Sequence, residues 1–192
     1  MHATDQCDLV SFVTAIQKGL GKLGALAETL AQLHEYGEES AGSGMAALNL
    51  LKFYTVCERI LILIDREASG NLAPRVDWHS RLLLESSTPL PGMRPAIIST
   101  TSCKLLQKLL AFRNLKRNIY GYVPAPYVIE KLSELVIEHQ PQLADEIQRF
   151  LSSFLRQRPQ SATARSQRVR FHPQLAVSGS FSQMPKTLPS GS

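Results

Sequence analysis

The chain has 192 residues, enough for one domain with a core of its own and a tail, but short for two. Hydrophobic residues make up 44% of it, an ordinary share for a globular protein, and no apolar run approaches the ~18–20 residues of a membrane span. The formal net charge of +5 belongs to one end: residues 1–155 carry 15 Lys/Arg against 16 Asp/Glu, whereas 156–192 carry Arg156, Arg158, Arg165, Arg168, Arg170 and Lys186 and no acid.

The three cysteines, Cys7, Cys57 and Cys103, show no CxxC or Cys/His spacing, which argues against a disulfide framework and against a structural zinc site. Cys57 and Cys103 fall inside apolar helical patterns, as small buried hydrophobes do. The start, MHATDQCD, has neither the basic residues nor the apolar stretch of a signal peptide, so a cytoplasmic protein is expected.

Apolar residues recur at helical spacing from Leu9 to Leu33, which predicts a first helix over about residues 5–36. Inside it lies Gly19-Leu-Gly21-Lys-Leu-Gly24, a literal GxGxxG. A dinucleotide site would need a strand before this motif and a helix opening on it. Here both flanks are helical, so the glycines are read as close helix packing or a locally weakened helix. GEESAGSG (37–44) reads as a break. A second helix is predicted over about 45–67, with Leu48, Leu51, Phe53, Val56, Ile60, Leu61 and Ile64 as its apolar face. A connector and a short helix, about 78–85, follow.

Pro89, Pro91, Gly92 and Pro95 predict a loop-like segment. Ser99 or Thr100 can cap a third long helix over about 101–120. Pro126 and Pro141 sit where the first turns of two further helices belong, about 125–138 and 141–155. No convincing period-2 strand occurs. The chain therefore reads as all-α, an up-and-down bundle of four to five helices. Residues 1–44 form an N-terminal helix and linker packing on the bundle, 45–155 the main helical domain, and 156–192 a basic, Ser/Pro/Gln-rich tail expected to be disordered.

The chemistry-bearing stretch is FRNLKRNIYGY, residues 112–122. Cys103, Leu106, Leu109 and Leu110 form the core stripe of its helix, with Phe112 at the margin. Arg113, Arg117 and Tyr120 share one side, Lys116 flanks them, and Asn114 and Asn118 pair at i, i+4. No acid occurs between Glu85 and Glu130, so this is a cationic strip bordered by amides and closed by a phenol. Arginine can hold phosphate through two parallel hydrogen bonds. A dipole-favoured basic helix end accounts for the same composition.

FRNLKRNIYGY resembles the signature helix of the HEPN superfamily, specifically of HepT-like ribonuclease toxins. In that group the motif reads Arg, four residues, His, one residue, Tyr. On this chain it gives Arg113, Asn118 and Tyr120, with Asn114 matching the polar residue after the arginine. The resemblance covers about residues 45–155 and includes YTVCERILILIDRE, DWHSRLLL, PGMRPAIIS and LADEIQRFLSSFL.

It implies a metal-independent endoribonuclease without a cofactor, working as a homodimer whose two motif helices form one cleft. RNA would be cut to a 2′,3′-cyclic phosphate and a 5′-OH. The resemblance also implies a nucleotidyltransferase antitoxin as partner, able to attach AMP to Tyr120. Arg113 would neutralise the scissile phosphate, with Asn114, Lys116 and Arg117 as further phosphate contacts.

Asn118 departs from the pattern, because an amide does not titrate near neutral pH and cannot serve as a general base. Three readings follow: a weak enzyme, a substitute base, or a degenerate dimer that binds RNA or a partner without cutting. The substitute base of choice is His79 in DWHSRLLL, although a Trp-His pair on a short helix also suits a packed core contact. His34, His139 and His172 have no matching context. Arg113 and Asn118 lie ~140° apart on an ideal helix, so one phosphate cannot face both from one direction.

Overall fold

The computed structural model describes residues 3–35, 40–69, 77–118 and 124–168; within them, side chains are described for 8–35, 42–68, 77–116 and 124–157. Five helices follow one another: α1 (Ala3–Glu35), α2 (Ser40–Ser69), α3 (Trp78–Ser86), α4 (Thr100–Asn118) and α5 (Pro126–Arg168). No strand occurs among the described residues, only an isolated bridge between Leu90 and Arg94. The all-α bundle expected from periodicity is what forms. The chain divides into two units: Met1–Arg156, which contains the core, and Gln157–Ser192.

α1 and α2 pack closely, and the GxGxxG glycines explain part of that approach. A Cβ on Gly19 would lie 2.8 Å from Ile60 Cγ1 and 2.9 Å from its Cδ1, whereas nothing lies within 4 Å of one on Gly21 or Gly24. Gly19 is thus a contact point between helices and the other two are not. α5 lies antiparallel to α1, since the Phe12 ring meets Phe154 edge-on at 6.1 Å and Gln17 Nε2 donates to Gln148 Oε1 at 3.0 Å. α2 also touches α3 and α4, and its buried Phe53, Tyr54, Ile60, Leu61 and Ile64 fill the centre.

The predicted core stripe of α4 is buried throughout: Cys103, Leu106, Leu109, Leu110 and Phe112. Leu48, read as an apolar-face position, is instead exposed by 45%, and Val10, within the apolar periodicity of the first helix, by 61%.

Three boundaries differ most from the sequence reading. α2 begins at Ser40, inside the stretch read as a break. Amide groups of a first turn lack intrahelical partners in any case, so small residues there cost little once Ala46, Ala47 and Leu50 are buried against the rest. α5 runs through Pro141 as one helix, where two were expected. A proline inside a helix costs about 3 kcal/mol. Here Val136, Leu143, Ile147 and Leu151 continue one fully buried stripe across it, and that burial outweighs the break. α5 also extends to Arg168, beyond residue 155 where the disordered tail was expected to start; residues 169–192 lie outside the described set.

The segment between α3 and α4 is built around a buried guanidinium. Gly92 takes a φ of 74°, which only glycine adopts without strain, and lets the turn close between Leu90 and Arg94. Arg94 Nη2 donates to Glu85 O at 3.1 Å and Nη1 to Pro95 O at 3.3 Å, and Nη2 lies 3.7 Å from Asp65 Oδ1 on α2.

Ser99 caps α4: its Oγ accepts from Ser102 N–H at 3.2 Å, and its own N–H donates to Glu146 Oε2 at 3.0 Å. Burial alone would raise the Glu146 pKa. Hydrogen bonds from Ser99, Ser102 and Gln142 outweigh it and hold the carboxyl below its ordinary value.

Two stability measurements follow. Gly19→Ala is expected to destabilise by about 1–3 kcal/mol through overpacking against Ile60, while Gly21→Ala stabilises by about 0.5–1 kcal/mol, as urea unfolding would record. A depressed carboxyl pKa adds stability above the unfolded-state value and loses it as pH falls through the folded-state value. Glu146→Gln should therefore cost about 1 kcal/mol at pH 7, screening included, and the gap to wild type should close in acid.

Candidate functional site

Tyr54 and Glu58 lie one turn apart on the buried face of α2. The Tyr54 hydroxyl donates to Glu58 Oε1 at 2.8 Å. The same oxygen receives a hydrogen bond from Nδ1 of His79, the second residue of α3. Glu58 is 10% exposed at its side chain and His79 20%, so the carboxylate is withdrawn from water and the imidazole keeps one edge open. Asp77 turns the chain into α3 with a φ of 65°, a left-handed conformation that Asp tolerates better than most residues. The indole of Trp78 stacks on the His79 ring, with centroids 3.8 Å apart and planes at 29°.

From α4, Arg113 reaches into this group. Its Nη1 lies 3.4 Å from His79 Nε2, and its guanidinium carbon sits 5.7 Å from the centroid of the Tyr54 ring. A guanidinium has donors only, so His79 Nε2 must be the acceptor. The proton of a neutral imidazole is then on Nδ1, where it is donated to Glu58. Carboxylate, imidazole and guanidinium thus form a chain of fixed polarity, with a basic nitrogen and a cation side by side at its open end.

Burial, the hydrogen bond to Glu58 and the Glu58 charge push the Tyr54 pKa far up, only partly countered by Arg113, so the phenol remains a donor. Cys57, next to Glu58 in sequence, is wholly buried and its thiol pKa is pushed up, which leaves it an inert core residue.

Of the residues read from the sequence, the fold brings Arg113 and His79 together. Arg113 is half-buried over Tyr54, not on a solvated face; Asn114 and Lys116 are exposed on α4. Asn118 ends α4, but its side chain and that of Arg117 lie outside the described residues, as does Tyr120 altogether. Sequence reading missed Glu58 and Tyr54. The available signal was an acid on an apolar stripe, since Glu58 falls on the same face as Tyr54, Leu61 and Asp65, where a carboxylate needs a partner.

Compared with known families, residues 45–154 match the sequence profile described as HepT-like protein. The match spans more than half of the chain. The chain belongs to the HepT-like family. No curated protein and no solved structure matches the chain. The HepT-like region contains Tyr54, Glu58, His79 and Arg113 and leaves α1 wholly outside it. Among the described residues no helix is long and apolar enough to cross a membrane.

None of these four residues lines a cavity of about 530 Å³ whose walls include Leu30, Leu33 and Ala47 and the polar His34, Glu130 and Lys116. Next to it, ligand atoms of His34, Glu130 and Glu134 lie within 4.8 Å of one another, a cluster that sequence spacing did not reveal.

The hydrogen-bond polarity is measurable. Nitrogen-detected NMR should find the neutral imidazole of His79 protonated on Nδ1, and Tyr54→Phe should cost about 1 kcal/mol of stability through loss of one donor to Glu58.

Proposed function

We propose that this HepT-like protein is an endoribonuclease toxin that cuts RNA without a metal ion, at a cleft completed by a second copy of the chain. The observation that carries the reading is the contact between Arg113 and His79, 3.4 Å apart, with Glu58 behind the imidazole. An arginine beside an oriented histidine supplies the two groups that transesterification of RNA needs.

In this mechanism a scissile phosphate enters and draws the Arg113 guanidinium onto its non-bridging oxygens, which frees His79 Nε2. The imidazole then takes the proton of the ribose 2′-OH as that oxygen attacks the adjacent phosphorus. Glu58 holds the ring in the productive tautomer and stabilises the imidazolium that forms. Arg113 neutralises charge developing on the pentavalent transition state. The bond to the 5′-oxygen breaks, that oxygen takes a proton from solvent, and the products are a 2′,3′-cyclic phosphate and a 5′-OH. His79 thereby takes over the role that the family motif gives to the residue at position 118, which here is Asn118.

Asn114, Lys116 and Arg117 extend the cationic strip along the RNA backbone, and Asn118 contributes hydrogen bonds but no proton transfer. The partner is a nucleotidyltransferase antitoxin that attaches AMP to Tyr120. Bulky negative charge there would repel RNA from Arg113.

Asn118 also favours a second reading, a degenerate dimer that binds RNA or the partner without cleaving. Purified dimer incubated with single-stranded RNA in EDTA separates the two. The ribonuclease reading expects cleavage with 2′,3′-cyclic ends and its loss by at least about 10²-fold in Arg113→Ala. Salt-sensitive binding without products at micromolar dimer, not rescued by Asn118→His, would establish the binding reading instead.

A further inference from the structure

We infer that His34, Glu130 and Glu134 form a binding site for a divalent transition-metal ion of the zinc class, which ties the end of α1 to the start of α5. The three come from two helices far apart in sequence. Glu130 and Glu134 are one turn apart on α5, and His34 is in the last turn of α1. One nitrogen and two carboxylate oxygens lie within 4.8 Å of one another. Bonds of about 2.0–2.2 Å to one ion require these atoms to close by about an ångström. His34 and Glu130 are exposed and Glu134 half-buried, so their rotamers are free to do so.

The donor chemistry selects the ion. Imidazole nitrogen with two carboxylates suits zinc and its neighbours, whereas calcium and magnesium prefer oxygen-only shells. Three protein ligands leave a fourth position for water. Charge points the same way: two glutamates at i, i+4 repel each other on a helix, and a divalent cation turns that repulsion into attraction. Lys131, whose Nζ is 2.8 Å from Glu134 Oε2, is the present counter-ion. Both partners are exposed enough for the lysine to turn away at little cost.

The placement gives the ion a structural consequence. α1 stands outside the family-matched region 45–154, and its described contacts to α5 near the other end are the Phe12–Phe154 ring pair and the Gln17–Gln148 hydrogen bond. His34 with Glu130 and Glu134 continues the same antiparallel register at the opposite end. A metal there would clamp the added helix to the HepT-like domain and fix the mouth of the cavity that His34 and Glu130 line.

The test uses the full chain stripped of metal and titrated with Zn²⁺ by calorimetry and with Co²⁺ by visible absorption. Wild type should bind one equivalent, give Co²⁺ bands more intense than those of the aqueous ion, and gain thermal stability with Zn²⁺. His34→Ala, Glu130→Gln and Glu134→Gln should each weaken binding by at least about tenfold and lose the thermal shift. Arg113→Ala and His139→Ala should bind as wild type does, so the result is independent of any ribonuclease activity. Absence of stoichiometric binding by wild type, or unchanged binding in His34→Ala, would overturn the site.

Discussion

Glu58 is withdrawn from water in the middle of α2, and a carboxylate so placed needs partners from more than one direction. Tyr54 supplies one from its own helix, and His79 supplies the other from α3. That requirement sets the position of α3 on α2 and the orientation of the His79 ring. It also determines which imidazole nitrogen faces outward, and so what Arg113 meets when α4 packs alongside. The neighbouring Arg94–Asp65 pair, one heptad along α2, anchors the segment that follows α3 in a similar way. Two acids on one apolar stripe thus organise the half of the domain where the candidate site lies.

This arrangement bears on the unusual residue in the family motif. A histidine at position 118 would place the proton acceptor on α4 itself, about 140° around the helix from Arg113. With Asn118 there, the acceptor that the described structure offers is on another helix, and the carboxylate behind it is buried. A base brought in from α3 can face the arginine directly, which two residues of one helix five positions apart cannot do. The proposed use of His79 beside Arg113 therefore addresses a geometric difficulty as well as a chemical one.

Much of the fold was legible because helical periodicity is strong wherever a helix packs on one side only. The core stripe of α4 could be read from residue order, as could Ser99 as one of two cap candidates and helix packing at one of the three GxGxxG glycines, Gly19. The continuity of α5 could not. Pro141 is a local signal to break, and only the buried stripe through Val136, Leu143 and Ile147 opposes it. Arg113 and His79 were legible through motif and context. Glu58 and Tyr54 were hidden by their ordinary appearance in an apolar helix, since burial and cross-helix hydrogen bonding are not properties of spacing. The cluster of His34 with Glu130 and Glu134 was hidden more deeply, because nearly a hundred residues separate its members.

The central claim is that His79, oriented by Glu58, does the proton transfer that Asn118 cannot. Initial rates of RNA cleavage in EDTA, compared between His79→Ala and Asn118→Ala dimers of equal fold stability, address it most directly. His79→Ala should lose about 10²–10⁴-fold and Asn118→Ala less than about tenfold. A His79→Ala enzyme that cuts at the wild-type rate, with Asn118→Ala inactive, would contradict it.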